Sequence, residues 1–211
     1  MQIQPAQADQ VRELNQVIDD ALTDSREQNR QAVCASATPQ NIFRLAERVR
    51  RRATLMTRRK RKNVQILLHQ RDTLIMALYA KITPPGWANV WCDGSSISHH
   101  DERRAGIGVI VFSSDAHRLA QASVYVGNKT AFEAEVQAIV HALDICASHN
   151  ITKVRIHTDN KGLAQLWREH RQDSRMTIIR EHAKNIEKLQ IRALPRVHNQ
   201  AANALAKIAT S

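Results

Sequence analysis

The sequence predicts an α/β fold, a mixed sheet flanked by helices, preceded by a helical and basic N-terminal appendage. Three observations predict it. The first is the break at Ile82-Thr83-Pro84-Pro85-Gly86, where two prolines and a glycine stop a helix. The second is the change of pattern across that break, from apolar residues at helical spacing to short runs rich in Val, Ile and Trp. The third is the order that follows: three strand-like runs, then alternating helix and strand, the signature of a mixed sheet covered by helices. The expected organisation is a helical, basic region over 1–81, a linker at 82–86 and an α/β domain over 87–211.

Each element has its own warrant. Val11, Leu14, Val17, Ile18, Ala21 and Leu22 recur at helical spacing. Thr38-Pro39 reads as a cap and first helical residue of a second long segment, whose later part carries the stripe Val64, Leu67, Leu68, Leu74, Ile75 and Leu78. Between them lie Arg50, Arg51 and Arg52, then Arg58, Arg59, Lys60, Arg61 and Lys62, with almost no apolar surface to bury. Two or three amphipathic helices with a solvated basic stretch are expected. After the linker, 88–93, 106–112 and 119–126 read as strands able to form an antiparallel meander. Then come a helix over 131–147, a strand over 153–158, helices over 161–170 and 177–189, a strand over 190–195 and a last helix over 200–208. No internal repeat is present.

Composition narrows the function. The chain has 211 residues, 43% of them hydrophobic, so it can bury a real core. A formal net charge of +11 points to a polyanionic partner, nucleic acid before membrane. Cys34, Cys92 and Cys146 are odd in number and lack paired spacing, which reads as reduced, intracellular thiols instead of a disulfide framework or zinc site. No apolar run is long enough to span a bilayer, so no membrane partner is expected. The N-terminus lacks a basic region followed by an apolar one, which argues against a secretory signal, and its early acidic residues argue against a mitochondrial presequence.

Three acidic residues carry the chemistry. Asp93 sits in Trp91-Cys92-Asp93-Gly94-Ser95, followed by Ala105-Gly106-Ile107-Gly108-Val109-Ile110-Val111. Glu135 sits in Ala134-Glu135-Val136-Gln137-Ala138-Ile139-Val140-His141-Ala142-Leu143, and Asp159 ends Val154-Arg155-Ile156-His157-Thr158-Asp159. Each has a plain reading alone: Asp93-Gly94 as a strand-ending turn, Glu135 as a solvated helix residue, Thr158-Asp159-Asn160 as a helix cap. Together, in the order strand Asp, helix Glu, strand-end Asp, they resemble the catalytic core of type 1 ribonuclease H over about the last three fifths of the chain.

That resemblance implies a ribonuclease H-like sheet of five strands, three antiparallel and then two parallel. It implies catalytic residues Asp93, Glu135 and Asp159, which hold two Mg2+ (or Mn2+) ions that cleave the RNA strand of RNA–DNA hybrids. Leu194 to Ala206 resembles the family's C-terminal motif, with Asn199 and Leu205-Ala206 matching. Asn203 stands where the family has a fourth carboxylate, so its carbonyl oxygen is the implied fourth metal ligand, one charge short. His198 lies near the place of a family His that aids product release and is an auxiliary candidate. Thr130 matches a Thr that holds a phosphate of the DNA strand. Ala131 and Phe132 replace the paired Asn residues that often follow it, as in plant and retroelement-type domains.

The N-terminal region does not resemble the family's small hybrid-binding domain. Its cluster Arg58, Arg59, Lys60, Arg61 and Lys62 reads as a phosphate grip or as a nuclear import signal, the latter only in a eukaryotic host, or as a solvated face. The 64–78 stripe is expected to pack on the core domain or on a second copy, which allows self-association. The rival to the nuclease reading is a catalytically weakened or inactive nucleic-acid-binding protein that kept the fold, with retroelement origin as one source of such a copy.

Overall fold

The computed structural model describes residues 5–24, 26–59, 64–99 and 102–211. The chain divides into two compact units, Met1–Ile82 and Thr83–Ser211.

Among the described residues the first unit holds four helices, more than expected: α1 (Pro5–Thr23), α2 (Glu27–Ala35), α3 (Ile42–Arg59) and α4 (Val64–Lys81). Local polar bonds make the extra breaks. The Asp24 carboxylate accepts from the Arg26 backbone N–H after α1. Thr38 and Asn41 bond reciprocally, each side chain accepting from the other's backbone N–H, so Thr38-Pro39 forms a turn and α3 begins only at Ile42. The arginines at 50–52, expected in a solvated stretch, belong to a packed helix because Ala46, Val49 and Ala53 bury its other side. They join Ile18, Leu22, Val33, Leu45, Leu74, Ile75 and Leu78 in the unit's core. Lys60, Arg61 and Lys62 of the basic cluster lie outside the described residues. No helix among the described residues is long and apolar enough to cross a membrane.

The second unit runs β1 (Ala88–His99), β2 (Glu102–Ser113), β3 (Arg118–Gly127), α5 (Ala131–Ser148), β4 (Lys153–Thr158), α6 (Lys161–Arg168), α7 (Ser174–His182), β5 (Lys188–Ala193), a 3-10 turn (Arg196–His198) and α8 (Gln200–Ile208). The sheet order is β3-β2-β1-β4-β5. β1, β2 and β3 pair antiparallel, while β4 pairs parallel to β1 and β5 parallel to β4. β1 and β2 extend beyond the expected 88–93 and 106–112, with Ile97 opposite Arg104. Gly94-Ser95-Ser96 has weak strand propensity, and the antiparallel ladder carries it. α7 begins earlier than expected because the Asp173 side chain caps it by accepting from the Arg175 N–H.

The alternation of β1 divides the core. Val90 and Cys92 join Ile107, Val109, Ile139, Leu143, Ile156 and Leu163 on the α5 side. Trp91 points the other way, stacked on His157 with ring centroids 4.6 Å apart and edge-on to Phe112. Below it runs a buried polar chain: Arg155 donates to the Thr83 hydroxyl, and Thr83 and the His157 Nε2–H both donate to Asn89 Oδ1. Burial, first, and the charges of Arg155 and Arg192 depress the His157 pKa to about 3, so the ring is neutral. Thr83, inside the expected linker, is thereby tied into the second unit. Cys34, Cys92 and Cys146 are buried and unbridged.

Candidate metal centre

The sheet itself opens the site. β1 and β4 pair from Ala88↔Val154 to Trp91↔His157 and then part. Asp93 and Asp159 each lie two residues beyond that last pair, at the carboxyl ends of parallel strands, where such sheets leave a crevice. Asp93 still has Gly108 beside it on β2, but no partner on the β4 side.

Two glycines let helices close over this point. A Cβ at Gly94 would come closer than 3.0 Å to the backbone of Ala134 and Glu135 in α5. A Cβ at Gly108 would likewise strike the Ala202 carbonyl of α8. Because Asp93 faces with Gly108 and Gly94 with Ile107, α8 lies on the Asp93 face of the sheet and α5 on the other. Glu135 stands in the first turns of α5, and the Gly94 backbone N–H donates to its carboxylate. From the opposite face, the Asn199 side-chain amide donates to the Cys92 carbonyl at 3.0 Å and to Asp93 Oδ1 at 3.3 Å. Asn203, one turn along α8 from Asn199 and so on the same face, is also buried.

The result is a cluster. Asp93, Glu135 and Asp159 each offer a carboxylate oxygen within 4.8 Å of the others. Asp93 is 3% exposed. Its pKa is pushed up to about 8, by desolvation first and then by the charge and hydrogen bond of Asp159. Glu135 is pushed up to about 8 as well, by desolvation and then by Asp93 and Asp159. Glu135 Oε2 is buried without a hydrogen-bond partner. Arg196 stands at the rim, with its Nε 3.8 Å from Asp159 Oδ2 and its side chain 67% exposed, and it draws both raised pKa values down.

These features fit a divalent cation. Three hard oxygen donors crowd together, they repel one another when ionised, and one oxygen has no donor to satisfy it. Capping takes none of the three away. Asn160 caps α6 by accepting from the Leu163 N–H, and the Thr158 hydroxyl accepts from the Asn160 N–H, which leaves Asp159 to the cluster. Glu133, exposed in the first turn of α5, forms the helix's capping box with Thr130.

The other expected site residues are not members of the cluster. The Thr130 hydroxyl donates to the Glu133 carboxylate and accepts the Glu133 N–H, so a phosphate there would compete with the cap. His198 is buried in the 3-10 turn, at 3% exposure, and not on an open loop. Arg58 is exposed in α3 of the other unit, where Arg59 ends the helix. Sequence reasoning assigned no role to Asn199, Arg196 or the Gly94 N–H. Asn199 had a signal, as the matched residue of the C-terminal motif. Arg196 had none, because its relation to Asp159 arises only in the fold.

Comparison with known proteins agrees with this architecture. Residues 92–209 match the reverse transcriptase-like family. No curated protein matches the chain. Among solved structures, ribonuclease H1 from the archaeon Halobacterium salinarum is similar with a TM-score of 0.53 at 22% identity, over 58% of this chain and 96% of that one. The N-terminal ribonuclease H domain of a Mycobacterium tuberculosis protein, solved as a fusion with maltose binding protein, has a TM-score of 0.53 at 21% identity over 59% and 93%. LC11-RNase H1 in complex with RNA/DNA hybrid has a TM-score of 0.52 at 20% identity over 58% and 96%. At these identities the structures speak for the fold, and the family match covers more than half of the chain: it belongs to the reverse transcriptase-like family, and its second unit is a ribonuclease H-like domain.

Proposed function

We propose that the protein is a metal-dependent endonuclease that cuts the RNA strand of RNA–DNA hybrids, leaving a 5′-phosphate and a 3′-hydroxyl. The observation that carries the proposal is the cluster of Asp93, Glu135 and Asp159, with its unpartnered Glu135 oxygen, at the strand ends of a ribonuclease H-like sheet. These three carboxylates, with the Asn203 carbonyl oxygen, are the residues to hold Mg2+ or Mn2+, two ions per site. When bound, the ions activate water and stabilise the leaving oxygen of the phosphodiester.

The chain's own groups do the rest. Asn199 fixes Asp93 by its amide, and the Gly94 N–H orients Glu135. Arg196 offers a guanidinium at the rim for a phosphate oxygen. Thr130, at the N-terminus of α5, is the residue to meet a phosphate of the DNA strand, in exchange for its bond to the Glu133 carboxylate. The cluster Arg58–Lys62 adds phosphate contacts, or directs nuclear import in a eukaryotic host; a fluorescent fusion of residues 55–65 that stays in the cytoplasm refutes import. Self-association through the N-terminal helices belongs to the same proposal, and sedimentation at rising concentration tests it.

A second reading has its own support. With Asn203 in place of a carboxylate, the site is one charge short of the family pattern, which favours a weakened or retired nuclease that still binds nucleic acid. Labelled hybrid incubated with Mg2+ and with Mn2+ separates the two. Under the first reading wild type cleaves, and Asp93→Asn or Asp159→Asn lowers cleavage by orders of magnitude while metal-free hybrid binding is kept or tightened. Cleavage by both variants at the wild-type rate overturns the site assignment. Intact hybrid with a folded, binding wild type supports the second reading.

A further inference from the structure

α3 carries two kinds of arginine. Arg50 pairs with Glu47, and Arg52 pairs with Asp19 of α1. Arg44, Arg48, Arg51 and Arg58 have no carboxylate partner among the described residues. Their spacing of four, three and seven residues places all four on one face of the helix. The opposite face, with Ile42, Ala46, Val49 and Ala53, is buried in the unit's own core. Arg44, Arg51 and Arg58 are exposed and Arg48 is half-exposed, with Leu55 as the apolar member of the same stripe.

We infer that this stripe, Arg44, Arg48, Arg51 and Arg58, is a second nucleic-acid contact that grips the phosphate backbone of a duplex. Four like charges stacked at helical spacing destabilise the helix that bears them, and a polyanion relieves that strain. At 1.5 Å per residue the stripe is about 21 Å long, against one phosphate charge per about 1.7 Å of duplex axis. That length of duplex carries about a dozen phosphates over its two strands, more than the four guanidiniums need. Every basic residue in α3 is an arginine, and the planar guanidinium matches phosphate oxygens bidentately where an ammonium offers only a point charge. A membrane is the poorer partner. A surface-bound helix immerses its apolar face in lipid, and α3 has buried that face in protein. The stripe ends at Arg58, the first residue of the run Arg58-Arg59-Lys60-Arg61-Lys62, so the basic track continues in the sequence.

The inference goes beyond the cleavage proposal and does not depend on it. It is tested with the full chain in EDTA, on a 24-base-pair DNA duplex, by the dependence of log affinity on log salt. Arg44, Arg48, Arg51 and Arg58 are replaced together by Gln. Loss of four contacts flattens the slope by about 3.6, at about 0.9 per phosphate contact, and weakens binding across sequences. The matching Lys variant keeps most of the slope while losing affinity. Where the fourfold Gln variant loses helical circular dichroism, the double variants Arg44/Arg51→Gln and Arg48/Arg58→Gln carry the test, each flattening the slope by about 1.8. An unchanged slope in a folded variant overturns the inference. So does a loss confined to phosphatidylserine vesicles, which assigns the stripe to membrane. Cleavage of a ten-base-pair hybrid in Mg2+ is read separately: its absence counts against the nuclease proposal and leaves the slope to judge the stripe.

Discussion

Replacing Asn203 by Asp makes a sharp test of the site, because it pulls stability in opposite directions with and without metal. Asn203 is buried, on the α8 face that holds Asp93 through Asn199. The carboxylates of the cluster lie within 4.8 Å of one another. A fourth at that spacing meets each ionised neighbour with a repulsion of about 3.5 kcal/mol, at an effective dielectric of about 20. Without metal the variant therefore melts below wild type, by an amount blunted because the new acid takes up a proton. A dication at similar range attracts it about twice as strongly, and desolvation offsets much of that gain. A net of about 1.4 to 2.8 kcal/mol survives, which lowers the half-saturating Mg2+ concentration about ten- to hundredfold. Calorimetric titration with Mg2+, together with melting curves in EDTA and in Mg2+, reads both signs. Mn2+, which binds such ligands more tightly, narrows the gap between wild type and variant. Unchanged Mg2+ affinity in a folded variant refutes the placement of Asn203 beside the cations. Tighter metal binding with no cleavage by either metal sinks the enzyme reading and leaves the metal site standing.

Two other perturbations follow from the same geometry. Asp93 and Glu135 have folded pKa values raised to about 8, so without divalent ions the stability they allow is fully present below about pH 4 and is lost as pH rises toward 8. Mg2+ replaces the protons, so the rise in Tm on adding Mg2+ grows from pH 5 to pH 8, and a pH-independent rise would contradict the assignment. Arg196→Ala removes the guanidinium 3.8 Å from Asp159. Since its side chain is largely exposed, the pair is worth at most about 1 kcal/mol, so Mg2+ affinity rises no more than about fivefold and the gain fades at high salt.

Parts of this structure were legible because local pattern and tertiary context agree. Lys153–Thr158 and Gln200–Ile208 have the bounds expected from sequence: Asn160, which caps α6, closes the strand, while the helix starts after Asn199 without a side-chain cap and follows its own apolar spacing. The three acidic residues were legible as a set because each sits in its own patterned segment. What the pattern could not carry is contact between distant segments. Gly94 looks like half of a turn until α5 is seen against it. The 50–52 arginines look like a solvated run until Val49 and Ala53 are seen to be buried. The parting of β1 from β4 after Trp91 and His157, which makes the crevice, is a property of register and has no residue of its own.

The site's charge decides how its two functional readings relate. Three carboxylates crowd into one pocket, two of them holding protons well into the neutral range, beside a neutral Asn203 and a rim guanidinium. A cation entering that pocket must displace protons and compete with Arg196 before it gains the carboxylates. Metal affinity is thus lowest in acid and rises with pH, and occupancy is lowest where metal is scarce as well. An enzyme with such a site is silent where one with a fourth carboxylate works, and a single assay at low Mg2+ and mild acidity would mistake it for a retired copy. Weakened and inactive are separated only along the metal and pH axes: cleavage that appears as Mg2+ and pH rise together marks a tuned nuclease, while metal binding without cleavage over the same range marks a nucleic-acid-binding relic.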